Sequence, residues 1–291
     1  MPVSITLSQN SGNIYKIIRD VERAFGDATQ IVYLNDDDSA AYILFPMTRL
    51  RRIQVGLREV LSPFDVDFCI QQKRPTRSKL FLADMEATII KEEMLVELAK
   101  DIGISTKMDE ITERAMRGEI DFAQSLVDRT AFLKGVKAET LEASKQHMTL
   151  TPHANTLVKT LKNLGTKTVL VSGGFGVFAD HVQALCGFDH VYCNHAEMKN
   201  GSLTGHLIMP IFNEHGKLEI LNKHANTMNI GLDDISAIGD GANDIHMLSA
   251  AGLSANYLGK PIVAEVCNLS IKHTDMRMML YAQGISASEF V

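Results

Sequence analysis

The chain has 291 residues, a length that fits two domains better than one. Hydrophobic residues make up 45% and charged residues 22% of the sequence, with both signs mixed, which is typical of a globular protein without a disordered tail. The formal net charge of −6 disfavours nucleic acid as the main partner, and no apolar run reaches the ~20 residues needed to cross a bilayer. The amino terminus has no signal-peptide pattern and the four cysteines are scattered, so we predict a cytoplasmic protein with reduced thiols.

The first 75 residues alternate between strand-like and helix-like patterns in the order β-α-β-β-α-β. We predict strands over 3–7, 31–34, 40–45 and 66–70, and helices over 14–25 and 50–61. This is the order of a small ferredoxin-like α+β unit, and it resembles an ACT regulatory domain. A pairing surface for a homodimer is the alternative role, and the sequence leaves both open. The polar, basic stretch over 71–78 is the predicted linker into a second domain over 76–291.

Three predicted strands of the second domain each end in a polar turn. The strands cover 79–83, 166–171 and 234–238, and the turns contain Asp84, Ser172-Gly173-Gly174 and Gly239-Asp240-Gly241. In an open parallel α/β sheet the carboxyl ends of the strands lie together at the ligand-binding edge. Glycine lets backbone amides approach an anion, a serine hydroxyl can donate to it, and aspartate offers the hard oxygen atoms that Mg²⁺ prefers. The pattern therefore predicts a nucleophile, a phosphate cradle and a metal site in one place.

Between the first two of these strands, residues 92–150 are predicted to form a helical insertion. Phe122 and Arg129 are seven residues apart, so on a helix they share one face, about two turns from each other. An aromatic ring and a guanidinium can hold a carboxylate, because arginine suits bidentate carboxylate recognition. Taken alone, Phe122 is more simply a core residue and Arg129 a surface charge. Lys217, which opens a helical pattern, is likewise most simply a surface lysine.

Four segments, taken in chain order, resemble the motifs of the haloacid dehalogenase-type phosphatases. They are Asp84-Met85-Glu86-Ala87-Thr88, Ser172-Gly173-Gly174, Lys217 and Gly239-Asp240-Gly241-Ala242-Asn243-Asp244. The resemblance covers residues 78–290 and is closest to the branch of this family that hydrolyses O-phosphoserine in serine biosynthesis. It implies a HAD-like, Rossmann-like parallel α/β sheet, with a helical cap inserted after its first strand.

The resemblance also implies the chemistry of an Mg²⁺-dependent phosphomonoester hydrolase. Asp84 is then the nucleophile that forms an aspartyl phosphate, and Glu86 is the acid and base that serves first the leaving group and then water. Mg²⁺ is expected on Asp84, Asp240 and the backbone carbonyl of Glu86.

The remaining matches concern the substrate, which the resemblance identifies as O-phosphoserine. The residues expected to bind its phosphoryl group are Lys217, Ser172, Gly173 and Asn243, with Asp244 behind them orienting Lys217. In the cap, Arg129 is expected to take the substrate carboxylate and Glu93 its ammonium, with Phe122 beside them.

The first motif departs from the family pattern, because Glu86 and Ala87 stand where the family has Asp and Ser. A longer acid places its carboxyl farther from the backbone, which predicts a slow phosphatase that Glu86→Asp would accelerate. Two alternatives stay open. One is a phosphatase of another small phosphomonoester, and the other is a weakened phosphatase kept as a phosphoserine-binding regulatory protein.

Overall fold

The computed structural model of the chain describes residues 2–10, 12–117 and 119–291. Its strands are β1 Pro2–Gln9, β2 Gln30–Tyr33, β3 Ala40–Pro46, β4 Val66–Gln71, β5 Leu80–Ala83, β6 Lys167–Phe175, β7 His190–Lys199, β8 Ser202–Ile208, β9 Ile235–Gly239, β10 Leu253–Tyr257 and β11 Leu269–Ile271. Its α-helices are α1 Tyr15–Phe25, α2 Leu50–Leu61, α3 Met94–Asp101, α4 Ser105–Met116, α5 Phe122–Ala131, α6 Ala138–Ser144, α7 Ala154–Asn163, α8 Gly176–Cys186, α9 Glu214–Met228, α10 Ile245–Ala250, α11 Pro261–Ala264 and α12 Arg277–Tyr281. Among these residues, no helix combines the length and the hydropathy of a membrane span.

The amino-terminal elements follow the predicted β-α-β-β-α-β order, which the structure confirms. Strand β1 pairs antiparallel with both β3 and β4, and β2 pairs with β3 on the outer side. Helix α2 buries Ile53, Leu57 and Leu61, which are four residues apart and therefore share one face. These side chains pack on alternate residues of β1, such as Ile5, and form an apolar core belonging to this unit.

The opposite face of β1 is polar and yet buried, because helix α12 and the segment around it cover that face. Asp67 in β4 illustrates the contact, since its carboxylate accepts hydrogen bonds from the backbone N–H groups of Lys272, His273 and Thr274. Strand β4 also pairs with β11, so a single eleven-stranded sheet runs in the order β2-β3-β1-β4-β11-β10-β9-β5-β6-β7-β8 through the described residues. The division into 1–75 and 76–291 stays a prediction, because the sheet crosses it without a break.

The carboxy-terminal part has a parallel α/β sheet covered on both faces. Strand β5 lies between β6 and β9 and is parallel to both. Its residues alternate: Phe81 packs in the core with α7 and α8, while Leu82 packs on the other side with α9 and α10. A strand buried on both faces explains why residues 80–83 are continuously apolar. The carboxyl ends of β5, β6 and β9 consequently meet at one edge of the sheet.

Helices α3 to α6 lie between β5 and β6 along the chain, within the segment 92–150 predicted to be helical. The segments entering and leaving this cap pair with each other through an antiparallel bridge between Ile90 and Leu150. The backbone N–H of Lys91 donates to the carbonyl of Thr149 at 3.0 Å, and Thr151 donates to Ile89 at 3.0 Å. We call these two paired segments, 89–92 and 149–151, the hinge.

Candidate active site

Two of the three predicted strand ends place carboxylates side by side. Asp84 follows β5 directly, and its backbone N–H donates to the carbonyl of Ile238 in β9 at 3.0 Å. Asp240 follows the last residue of β9, so it emerges beside Asp84. Because both strands run parallel in neighbouring positions, the two side chains reach the same point above the sheet edge.

The third strand end differs from the prediction. Strand β6 does not stop before Ser172 but continues to Phe175, with a break in its pairing to β7 between Val171 and Phe175. The reason is a local hydrogen bond, in which the N–H of Gly174 donates to the hydroxyl of Ser172 at 2.9 Å. The strand continues past this bond with an irregularity in its pairing. Ser172 and Gly173 therefore lie on a buried, bulged strand and not in an open turn.

Lys217 is buried, which corrects the simpler expectation of a surface lysine. It lies in the first turn of α9, where Asn213 caps the helix by accepting from the N–H groups of His215 and Gly216. Its Nζ donates to Oδ1 of Asp84 at 2.7 Å and to Oδ1 of Asp244 at 2.5 Å. Burial alone would lower the pKa of Lys217, but the two carboxylates outweigh it and the pKa is raised. The ammonium therefore stays charged beside Asp84.

Asp244 is fully buried and uses both carboxylate oxygens. One accepts from Lys217, and the other accepts from the N–H groups of Asp240 and Gly241 at 3.2 and 3.1 Å. A Cβ at Gly239 would lie 2.5 Å from Cγ of Asp244, so glycine is required for this approach. The side-chain amide of Asn243, the other predicted residue of this turn, lies next to Gly241.

The acidic side chains form a cluster suited to a cation. One carboxylate oxygen from each of Asp84, Asp240 and Asp244 lies within 4.8 Å of the others. Burial raises the pKa of Asp84 well above its ordinary range, and Asp244 adds to this while Lys217 opposes it. Burial and then Asp244 raise the pKa of Asp240 to about 6. Three carboxylates facing one ammonium leave an excess of negative charge, and a bound cation would relieve it.

The oxygen atoms that remain free indicate where such an ion fits. Both carboxylate oxygens of Asp244 accept hydrogen bonds, from Lys217 and from the backbone. Asp84 and Asp240 each accept only at Oδ1, Asp84 from Lys217 and Asp240 from Thr88 at 3.2 Å. Within the part of the chain that the structure describes, their Oδ2 atoms accept no hydrogen bond. Hard carboxylate oxygens of this kind are the ligands that Mg²⁺ takes.

Glu86 points its carboxylate away from solvent and towards the start of the cap. Its Oε1 atom accepts from the backbone N–H of Met94, the first residue of α3, at 2.8 Å. Oε2 would lie 2.8 Å from a Cβ on Gly174. Burial, followed by the charge of Glu93, raises the pKa of Glu86 to about 8. Ala87 adopts a left-handed conformation with φ of 50°.

The cap contributes the side chains predicted to recognise the substrate. Phe122, at the start of α5, lies over the phosphate segment, since a Cβ on Gly173 would be 2.7 Å from its Cζ. Arg129 uses Nε to donate to the carbonyl of Ser125 at 3.3 Å, and no carboxylate in the described residues comes within 4.0 Å of its guanidinium. Burial lowers the pKa of Arg129, while the charges of Glu86 and Glu93 oppose this. Its guanidinium is thus charged, close to two acids, and available to a ligand.

Glu93 lies at the rim of the same cleft. It is accessible to solvent, yet enough protein surrounds its carboxyl that desolvation raises its pKa, with Arg129 and Lys217 opposing. The structure therefore brings Glu93 within electrostatic reach of Lys217, and Arg129 within reach of Glu86 and Glu93.

One residue of the site was missed by sequence reasoning. Asn194 in β7 is buried, and its Nδ2 donates to the carbonyls of Gly173 and Phe212 at 2.9 and 2.8 Å. Its Oδ1 accepts from the N–H of Phe212 at 2.7 Å. These bonds join the phosphate segment to the loop that leads into Lys217. The sequence offered no distinct signal for Asn194, because several other residues of β7 are polar as well.

Comparison with known proteins agrees with this geometry. A family model described as haloacid dehalogenase-like hydrolase matches residues 81–249, a span that begins in β5 and ends in α10. The chain belongs to the haloacid dehalogenase-like hydrolases.

Relatives within the family are more specific. A phosphoserine phosphatase from Methanocaldococcus jannaschii is 36% identical over 204 residues, which is 70% of this chain and 97% of that protein. One from Streptomyces coelicolor is 37% identical over 211 residues, or 72% of this chain; the match spans about half of that longer protein, 52%. Among solved structures, a HAD family hydrolase from Salmonella enterica serovar Typhi is similar with a TM-score of 0.85 and 30% identity, over 96% of this chain and 98% of that one.

Proposed function

We propose that this chain is a phosphoserine phosphatase, which hydrolyses O-phospho-L-serine to L-serine and phosphate in the last step of serine biosynthesis. The observation that carries the proposal is the buried contact of 2.7 Å between Lys217 Nζ and Asp84 Oδ1 at the carboxyl end of β5. It leaves the second oxygen of Asp84 as a nucleophile whose charge is held in place. The relatives named phosphoserine phosphatase support the choice of substrate.

In the first step, an oxygen of Asp84 attacks phosphorus and the bond from phosphorus to the serine oxygen breaks. The electron pair goes to the serine oxygen, which takes a proton from the carboxyl of Glu86. The raised pKa of Glu86, about 8, favours the protonated acid that this step requires. In the second step, Glu86 removes a proton from water, which attacks the phosphorus of the aspartyl phosphate, and Asp84 leaves as a carboxylate.

The phosphoryl group needs positive charge and hydrogen-bond donors. Lys217 supplies the charge, and the hydroxyl of Ser172 can still donate because it only accepts from Gly174. The backbone N–H of Gly173 adds a donor from the same segment. Donors that are already held in position stabilise the developing charge without reorganisation.

The same proposal includes Mg²⁺, with Asp84, Asp240 and the backbone carbonyl of Glu86 as its ligands. When bound, the ion would neutralise charge on the phosphate oxygens. The free Oδ2 atoms and the excess of carboxylates support this assignment. Asp244 then orients Lys217 from behind the ligands.

Recognition of serine is assigned to the cap. Arg129 would bind the substrate carboxylate and Glu93 its ammonium, while Phe122 closes the cleft over Gly173. Phosphoethanolamine has the ammonium and the phosphate of phosphoserine but lacks the carboxylate, so comparing the two substrates isolates the contribution of Arg129.

The experiment measures phosphate release from both compounds, with Mg²⁺ and after chelation. We expect phosphoserine to be preferred in kcat/KM, since an unpaired buried charge costs about 1–3 kcal/mol, and we expect no turnover without the metal. Asp84→Asn should be inactive but folded, because an amide matches the acid in shape and cannot attack. Equal efficiency on both substrates, or turnover by Asp84→Asn, would refute the proposal.

We also propose that residues 1–75 form an ACT-like regulatory unit, and we keep homodimer pairing as its alternative role. The strand order β2-β3-β1-β4, with helices on one face, supports the first. Sedimentation of the chain with and without L-serine tests both. A monomeric state would rule out homodimer pairing, and sedimentation and activity that do not change with L-serine would rule out regulation by L-serine.

A further inference from the structure

The cap is attached to the rest of the molecule at a second place, through segments other than those of the hinge. Strands β7 and β8 form an antiparallel hairpin, and β8 is the last strand at that edge of the sheet. The start of β8 pairs on its outer side with the cap segment 135–138. Gly135 N–H donates to the Leu203 carbonyl at 2.8 Å, and Leu203 N–H donates to the Val136 carbonyl at 2.8 Å. Ala138 N–H donates to the carbonyl of Gly201 at 2.9 Å.

We call the paired segments 135–138 and 201–203 the clamp. Leu203 is buried in the same apolar cluster as Leu126 and Leu133 of the cap, so the clamp joins side chains as well as backbone. A body attached only at a hinge can rotate about it. A second attachment through other segments restricts that rotation, because both attachments would have to move together.

Strand β8, which begins in the clamp, lies against α5, the helix that carries Arg129. Gly205 in β8 faces the end of α5, where a Cβ on Gly205 would be 3.2 Å from the carbonyl oxygen of Ala131 and 3.1 Å from Cβ of Lys134. Such distances are tighter than most real Cβ contacts, so a side chain at Gly205 requires α5 or β8 to shift by a few tenths of an ångström. Arg129 is two residues before Ala131, and its position therefore depends directly on the contact with β8.

We infer that the β7–β8 hairpin, through the close approach at Gly205, holds α5 in position and so determines how strongly Arg129 selects substrates that carry a carboxylate. The hairpin is then a specificity element, and Gly205 is a positioning residue. Glu93 lies beside the hinge and not beside the clamp, so recognition of the substrate ammonium should not depend on the hairpin. The inference rests on the proposed function.

The chain offers a matched control. Gly187 and Gly205 both have positive φ, 85° and 86°, so a side chain strains the backbone at either position. Only Gly205 has a close neighbour, since nothing lies within 4 Å of a Cβ on Gly187, which follows α8 and lies outside the clamp. Gly205→Val and Gly187→Val therefore share the backbone strain and differ in the displacement of α5.

We expect Gly205→Val to lower the ratio of kcat/KM for O-phospho-L-serine to that for phosphoethanolamine by about tenfold, mainly through the KM of phosphoserine. Gly187→Val should keep the wild-type ratio between the two substrates. Turnover of phosphoethanolamine also reports whether each variant folds, and the smaller change Gly205→Ala serves if Gly205→Val does not fold. Amide hydrogen exchange gives an independent readout: Gly135, Leu203 and Ala138 should lose protection in Gly205→Val and retain it in Gly187→Val.

Two results overturn the inference, and they can be told apart. If wild type prefers phosphoserine and Gly205→Val keeps the same preference, the hairpin does not determine specificity although the proposed function stands. If wild type shows no preference, the proposed function fails and the role of the hairpin fails with it.

Discussion

Replacing Glu86 with Asp is expected to lower kcat, although the motif taken alone favours the opposite result. In the structure, the surrounding protein accommodates both carboxylate oxygens of the longer Glu86 side chain. Oε1 accepts from Met94 N–H at 2.8 Å, and Oε2 occupies the space next to Gly174 that a Cβ would need. An aspartate is one methylene shorter, about 1.5 Å, so it could not keep the Met94 contact from the same backbone position.

The size of the effect follows from that hydrogen bond. Glu86 is protonated when it acts as the acid, so this is a hydrogen bond to a neutral group, which contributes about 0.5–1.5 kcal/mol, and each 1.36 kcal/mol on the barrier is a factor of ten in rate. Losing the bond that positions the acid should therefore lower kcat by about 2- to 10-fold. KM should change little, because no contact with the substrate carboxylate or ammonium is altered.

Steady-state kinetics with saturating Mg²⁺ measure this, and Gly174→Ala provides the internal control. In the wild-type background the new Cβ would press on Glu86 Oε2 at 2.8 Å, so kcat should fall. In the Glu86→Asp background the shorter acid leaves room, so the same change should cost less and the two effects should not add. A kcat for Glu86→Asp at or above wild type, or strictly additive effects, would refute the reasoning that Glu86 is fitted to this pocket.

Two further predictions concern residues that position other parts. Asn194→Asp keeps the bond from Phe212 N–H but removes both donated bonds, so the Gly173 carbonyl loses its partner. We expect kcat/KM to fall about tenfold and inhibition by inorganic phosphate to weaken, as measured by product-inhibition kinetics. Asp67→Ala leaves three backbone N–H groups without their acceptor, so chemical denaturation should show a free energy of unfolding about 3 kcal/mol lower.

Each of these has a control of the same chemical type. Asn200→Asp, in the exposed turn between β7 and β8, should leave kinetics unchanged, and Asp65→Ala, two residues before Asp67 and largely exposed, should leave stability unchanged. If Asn194→Asp behaves like Asn200→Asp, the link between Gly173 and Phe212 does not matter for catalysis. If Asp67→Ala unfolds like Asp65→Ala, the contact between β4 and the segment 272–274 contributes little to stability.

The sequence by itself determined the carboxylate pair of the site. Asp84 and Asp240 each follow a short apolar strand, and the strands of a parallel sheet must end at the same edge, so local patterns were sufficient to bring them together. The order of elements in residues 1–75 could be predicted for a similar reason, since alternating and helical periodicities are properties of neighbouring residues. Ser172 lies in a strand and not in the predicted open turn, because a strand can accommodate a serine hydroxyl that bonds to its own backbone.

Only the tertiary structure decided which side chains are buried against which partners. From the sequence alone, Lys217 was predicted to be a surface residue. Burial of its charge depends on its partner Asp84, which is 133 positions away along the chain. The contacts of Asn194 with Gly173 and Phe212, of Glu86 with Met94 and of Gly205 with α5 likewise join segments that are separate in sequence. Periodicity and turn chemistry describe single segments, whereas these contacts depend on how close two packed segments come, to within a few tenths of an ångström.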